Sequence, residues 1–141
     1  ENVYPGAPAL KLCPIKPFQA VRIGNVDVLP IRVMHGQMPI LGFRIGPLVY
    51  ITDMKTLPSE SEPYLQGCKV MIVNGLRFDS HPTHQSISEA VDFIRRMNVP
   101  EAYLTHLAHS AGLHSDSEKF LPSHIHFGYD GQVLEVSDNQ L

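Results

Sequence analysis

The chain has 141 residues, enough for one domain or a piece of a larger one, with 43% hydrophobic and 18% charged residues. A net charge of −3 with scattered acidic residues leaves no basic stripe to neutralise phosphates and no acidic tail, so nucleic acid is not an expected partner. No apolar run approaches the roughly 18 residues of a membrane span, so no membrane partner is expected either.

Cys13 and Cys68 fall in no Cys-x-x-Cys pattern. They read as isolated thiols in a reducing, cytoplasmic compartment, with a disulfide between them left open. The N-terminus, Glu-Asn-Val-Tyr-Pro-Gly, has no initiator Met and none of the charged and apolar regions of a signal peptide. It reads as processed, or cut from something longer. There are eight histidines and no tryptophan. His81, His84, His106, His109, His114, His124 and His126 crowd the second half, with His35 alone before them. Histidine is the commonest metal ligand and titrates near neutral pH, so this clustering points to a site.

Residues 1–17, with four prolines, read as an irregular lead-in. Residues 18–23 read as a strand and Gly24-Asn25 as a turn. A strand over 26–34 ends in His35-Gly36. Residues 41–45 form a short strand, Gly46-Pro47 a turn, and 48–52 a β-branched run ending at Asp53. These three consecutive β-segments fit one hairpin-like series. A polar loop follows from Lys55 to Gly67, with a short helix over 64–66. Residues 69–74 are a continuous apolar run, as in a central parallel strand covered on both faces. Arg77 to His84 is a polar loop. The best helix runs from about Ser86 to Met97, with Ala90, Val91, Phe93, Ile94 and Met97 on one face. Ser86 or Ser88 can cap it, Glu89 suits its first turn and Arg95-Arg96 its last, and Asn98-Val99-Pro100 stops it. A strand over 101–105 completes a βαβ unit. Then come a His/Ser-rich loop, a helical turn over 118–121, and a last strand over 124–136 broken at Asp130-Gly131.

Polar residues stand where apolar segments stop: His35, Asp53, Asn74, His84 and His106. Ligand-type side chains that end separate strands tend to meet on one rim of a sheet, and ligand sites in open α/β sheets lie at the carboxyl ends. Imidazoles with a carboxylate suit Zn²⁺, Mn²⁺ or Fe²⁺. Each residue also has a structural reading: His35 as a turn residue, Asp53 as a loop cap, His84 at a helix start.

His35-Gly36 with Leu41-Gly42-Phe43-Arg44-Ile45, then Tyr50-Ile51-Thr52-Asp53, resembles the third and fourth metal motifs of metallo-β-lactamase-fold hydrolases. The similarity is to their phosphodiesterase branch, the phosphonate-pathway cyclic phosphodiesterases, and more distantly to ribonuclease Z. His81-Pro82-Thr83-His84-Gln85-Ser86 resembles that branch's catalytic histidine segment. Thr105-His106 resembles the fifth metal motif, and Phe127-Gly128-Tyr129-Asp130-Gly131 the way these chains end. The resemblance covers nearly the whole chain from residue 18; its motifs are weak singly and fairly specific in order and spacing. It implies an α/β fold, the C-terminal half of a four-layer αββα sandwich, so that residues 1–141 form a single partial domain. It also implies a dinuclear hydrolase with two divalent ions per complete site, Zn or Mn. His35, Asp53 and His106 would be metal ligands, Asp53 bridging. Metal-bound hydroxide would attack phosphorus in a small-molecule phosphodiester. His84 would stabilise the transition state or protonate the leaving oxygen, with His81 as fallback and His109 behind the ligands.

The family's His-x-His-x-Asp-His signature is absent from this chain. Gly128 and Tyr129 stand where the Asp and His would follow His124-Ile125-His126, and these two histidines suit one face of a strand. With part of the ligand set missing, the expected partner is the N-terminal half of the fold or another copy of the chain in a homo-oligomer. The other readings are a catalytically silent fragment, and a noncatalytic module that binds one metal through its histidines.

Overall fold

The computed structural model describes residues 11–137. Seven strands form one sheet in chain order: β1 (Val21–Ile23), β2 (Val26–His35), β3 (Met38–Ile45), β4 (Leu48–Ile51), β5 (Val70–Asn74), β6 (Glu101–Thr105) and β7 (Ile125–Phe127). β1 to β4 pair antiparallel, and β4 to β7 pair parallel. This is a mixed sheet of an α/β fold, antiparallel on one side and parallel on the other. The hairpin series and the βαβ unit are both present. No helix among the described residues is long and apolar enough to cross a membrane.

Strand direction places the chemistry. β2 and β4 are each antiparallel to β3, so they run the same way, and β5 to β7 run with β4. The carboxyl ends of β2, β4, β5, β6 and β7 therefore share one edge. His35 and Asn74 close β2 and β5, while Asp53 and His106 lie just beyond β4 and β6.

One face of the sheet carries the core. Ile31, Val33, Val49, Ile51, Met71, Val73, Ala102, Leu104, Ile125 and Phe127 are buried together with Ile87, Ala90, Phe93 and Ile94 of helix α1 (Ile87–Arg96). The helix packs on β5 and β6. Alternate residues of the sheet, such as Val70, Ile72 and Tyr103, are only half-buried. The continuous apolar run at β5 thus serves a strand whose second face is incompletely covered. At Gly42 an added Cβ would lie 2.7 Å from Ile51 Cγ1, so β3 and β4 approach there only because a side chain is missing.

Ser86 starts α1 as expected. Its Oγ accepts from Glu89 N (3.2 Å), while Glu89 Oε2 accepts from Ser86 N (2.7 Å), a complete capping box. Lys55 Nζ also donates to the Glu89 carboxylate at 2.7 and 2.9 Å, tying the helix start to the loop after Asp53. Burial alone would raise the Glu89 pKa, but the bonds from Lys55 and Ser86 outweigh it and hold the carboxyl below its usual range. A lowered carboxyl pKa adds stability that is present above the unfolded-state value and is lost as pH falls through the folded-state value. Glu89→Gln is therefore expected to be less stable than the parent at pH 7, and to lose less stability on acidification. The difference should stay below about 1 kcal/mol, because the side chain is partly exposed and screened. Urea melts at neutral pH and below the carboxylate range check it; parallel curves for the two proteins would refute it.

Four boundaries differ from the sequence reading. The first strand begins at Val21, because Phe18 takes a left-handed conformation (φ 63°) and stacks on Tyr64 with centroids 4.7 Å apart. The strand expected over 41–45 begins at Met38, so that Met38 pairs with His35 across a tight turn at Gly36. The helical turn expected at 64–66 is a 3₁₀ turn over Ser59–Tyr64. It is pinned there because Ser61 Oγ donates to Arg32 O (2.6 Å) and Arg44 donates to Tyr64 O and Gln66 O (2.8 Å each). The last strand is only Ile125–Phe127. Its neighbour β6 ends at Thr105, and the Gly128 N–H closes on Leu104 O (2.8 Å), so nothing is left to pair with. The Asp130-Gly131 turn exists, with Gly131 at φ 83°, but it joins no hairpin. Residues 11–17 of the proposed lead-in carry no strand or helix, and residues 1–10 lie outside the described residues. The His/Ser-rich loop holds a helical turn, His114–Ser117, running into the expected one at Glu118–Phe120.

Candidate metal centre

Asp53 and His106 each follow a strand, and each has a left-handed backbone, with φ 59° and 60°. Non-glycine residues hold that conformation at a cost of roughly 1–2 kcal/mol, so the surrounding bonds must enforce it. At Asp53 they are visible. Met54 is fully buried. Its N–H donates to Asn74 Oδ1 (2.8 Å), and its carbonyl accepts from Asn74 Nδ2 and Gln85 N (2.9 Å each). Next in the chain, Lys55 N and Thr56 N donate to Met34 O at 2.7 and 3.2 Å, fastening the loop beside His35.

These anchors bring the side chains together. Asp53 Oδ1 lies 3.1 Å from His84 Nε2 and 3.1 Å from His106 Nε2. One donor atom from each of the three residues falls within 4.8 Å of the others. The His84 and His106 rings stack with centroids 4.9 Å apart, and the His35 ring stands edge-on to His84 at 4.7 Å. His84 Nδ1 lies 3.1 Å from His81 Nδ1 and 3.1 Å from Thr83 Oγ1.

The proton count in this network is informative. The Thr83 N–H donates to His81 Nδ1 (3.4 Å), which makes that nitrogen an acceptor. A hydrogen bond across the 3.1 Å contact then needs His84 Nδ1 as its donor, which assigns the His84 proton to that nitrogen. That leaves His84 Nε2 facing a carboxylate oxygen, where a second proton or a cation has to lie between two electron-rich atoms. A carboxylate oxygen with two imidazole nitrogens is a donor set suited to a divalent first-row cation, so the residues fit the group the fold implies. His81 is held below the usual histidine range, first by partial burial and then by electrostatic repulsion from the basic side chains around it, His84, Arg77, Lys55 and His35.

All five of His35, Asp53, His81, His84 and His106 therefore converge on one edge. The donor triad takes in His84 and leaves His35 beside it, whereas the sequence pattern places His35 among the ligands and His84 in the catalytic role. His109 opens a short 3₁₀ turn, is exposed, and is outside the triad. His114 and His126 flank Glu118 at 3.7 and 3.5 Å, away from the triad. Asn74 is the residue that sequence reasoning left without a role. Its position as a polar residue closing an apolar strand was the available signal. The hollows against Val91 and Phe120 and beside Arg32 and Met34 contain none of the triad. Side-chain chemistry, not concavity, locates the site.

The profile of the beta-lactamase superfamily domain matches residues 1–107. A crystal structure of a diphosphatase from the PhnP family superposes with a TM-score of 0.81 at 29% identity, over 85% of this chain and 47% of that one. The metallo-beta-lactamase fold protein YhfI of Bacillus subtilis superposes at 0.66, with 18% identity, over 86% of this chain and 54% of its own; it speaks to the fold alone. An octanoyltransferase of Porphyromonas gingivalis is 46% identical over 132 residues, which are 93% of this chain but 27% of that protein. The chain thus spans about a quarter of its curated relative and about half of these two solved structures. With its profile, its sheet and its Asp-His edge in agreement, the chain belongs to the beta-lactamase superfamily.

Proposed function

We propose that this chain is the C-terminal half of a divalent-metal-dependent hydrolase that cleaves phosphodiester or diphosphate bonds. The observation that carries the reading is Asp53 Oδ1 at 3.1 Å from the Nε2 atoms of both His84 and His106, on the edge where the sheet's carboxyl ends meet. The diphosphatase relative supports the phosphorus chemistry. The half-covered second face of the sheet, at Ile72 and Tyr103, supports a missing N-terminal half that packs on it and supplies the remaining ligands. Two unpaired thiols, Cys13 and Cys68, agree with a cytoplasmic setting.

Asp53, His106 and His35 would hold Zn²⁺ or Mn²⁺. Such an ion supplies Lewis acidity to a phosphoryl oxygen and lowers the pKa of water. Asp53 contributes the one negative charge among the imidazoles, and its backbone clamp fixes where that charge points. His84, whose Nδ1–H donates to His81, turns Nε2 into the site; once Nε2 has taken up a second proton, the imidazolium would deliver it to the leaving oxygen and return to the neutral Nδ1–H form. His81 keeps His84 in that tautomer. The octanoyltransferase name belongs to a protein nearly four times as long as the matched segment. Acyl transfer through a Cys68 thiolate has no support here: Cys68 is buried and its thiol is pushed up by that burial.

The test is hydrolysis of a bis-aryl phosphodiester by the full-length protein. Chelation is expected to abolish turnover, and Mn²⁺ or Zn²⁺ to restore it; equal rates before and after chelation would sink the proposal. The 4.8 Å triad also favours a second reading, in which His84 is itself the third ligand of a single ion. If that single-ion site is noncatalytic, the full-length protein binds metal and turns over no phosphodiester.

A further inference from the structure

We propose that Asn74 is a positioning residue for the metal edge, an inference that rests on the metal-site reading above. Asn74 is fully buried, although it carries an amide and sits at the tip of β5 between the two ligand-bearing strands. Burying an amide is unfavourable unless its bonds are made, and these are made to a single residue, Met54, through both its N–H and its carbonyl.

The location gives the bonds their meaning. The β4–β5 ladder ends with Ile51 paired to Val73. Past that point the Asn74 side chain replaces the backbone ladder, offering an acceptor and a donor to Met54 much as a strand residue would. Asp53 lies between the last true pair and this substitute pair, so its left-handed backbone is pinned from both sides. The Asn74 backbone meanwhile pairs with Thr105, and Gly75 N donates to Thr105 O (3.0 Å), directly before His106. Gln85 N adds a third bond to Met54, the second on its carbonyl, next to His84. One amide therefore sets the spacing of Asp53 relative to both histidines of the triad without touching a ligand atom. Among the described residues this is the fastening Asp53 has on the β5 side; its own Oδ1 faces the Nε2 atoms of His84 and His106 at 3.1 Å each, the groups it must be placed against.

The experiment compares the parent full-length protein, Asn74→Ala and Val73→Ala, each stripped of metal and titrated with Mn²⁺ by calorimetry. Val73 is also fully buried, on the core side of the same strand, and serves as a control for general loss of stability. Asn74→Ala is expected to weaken Mn²⁺ binding on the order of tenfold or more, while Val73→Ala, with a comparable drop in melting temperature, binds as the parent does. Parent-like affinity in Asn74→Ala would overturn the proposal. If Asn74→Ala does not fold, Asn74→Asp keeps an acceptor for Met54 N and loses the donor to its carbonyl. It should then show a weakening, and parent-like affinity would count against the proposal. A parent that binds no Mn²⁺ removes the metal reading instead. The positioning then stands or falls on hydrogen exchange of the Met54 amide, expected to be protected in the parent and in Val73→Ala and fast in Asn74→Ala; unchanged protection overturns it.

Discussion

An Asp53→Asn variant of the full-length protein is expected to fold as the parent does and to lose its metal. The substitution suits this position. Asp53 holds φ 59°, and asparagine tolerates the left-handed region about as well as aspartate, whereas alanine would add strain of its own. Asn keeps the side-chain size and one acceptor oxygen while removing the charge. That charge is the only negative one in the donor triad, where two imidazoles supply neutral nitrogens. Without it, a divalent cation gives up its water for neutral donors alone. Metal content by elemental analysis should fall close to zero. A metal ion's polarisation of a phosphoryl group is worth several kcal/mol, and a loss of about 4 kcal/mol is a thousandfold. Hydrolysis of a bis-aryl phosphodiester is expected to fall by about that factor or more, with the melting temperature of the metal-free protein little changed. Parent-like metal content and rate in Asp53→Asn would remove this carboxylate from the site.

The difference between Asp53 and Asn74 shows what the sequence could and could not reveal. Asp53 ends a β-branched run and carries a ligand-type side chain, so strand periodicity alone places it on an edge. His35 and His106 are readable for the same reason. Their meeting follows from strand direction: two antiparallel steps and two parallel steps bring the ends of β2, β4 and β6 to one side of the sheet. Asn74 is equally visible as a strand-ending polar residue, but its part depends on contact with Met54, twenty positions earlier, in a loop whose path no local pattern fixes. The misplaced boundaries have the same origin. Phe18, the 3₁₀ turn at Ser59–Tyr64 and the short β7 are set by Tyr64, Arg44 and the end of β6, all of them long-range partners. Propensity and turn chemistry see neighbours along the chain; tertiary partners decide where an element stops. The role of His84 is harder still to read, because its sequence context fits a proton donor and its position fits a ligand.

His84→Ala separates those roles. If His84 delivers a proton, the variant keeps its metal, because Asp53, His106 and His35 remain, and its turnover depends on the leaving group. A p-nitrophenolate leaves readily as an anion, so its loss should be slight. An alkoxide needs the proton, and there the fall should approach the roughly 10²–10⁴-fold typical of a positioned general acid. The ratio of the two rates therefore reads the mechanism, and metal content measured on the same sample reads the ligand set. A loss of metal with equal losses for both leaving groups would make His84 the third ligand of the triad. The first outcome is the expected one. His84 is tied through Nδ1 to His81 and Thr83, at 3.1 Å from each, and that tie holds its proton on the nitrogen that points away from Asp53. Nε2 is then the atom that can take a second proton and pass it into the site. His81, whose Nδ1 accepts from the Thr83 N–H and whose pKa is lowered first by burial and then by the basic groups around it, serves as the acceptor that makes this possible. Replacing His84 removes the relay and leaves the charge of Asp53 and the imidazoles of His106 and His35 in place, so chemistry should be lost before metal is.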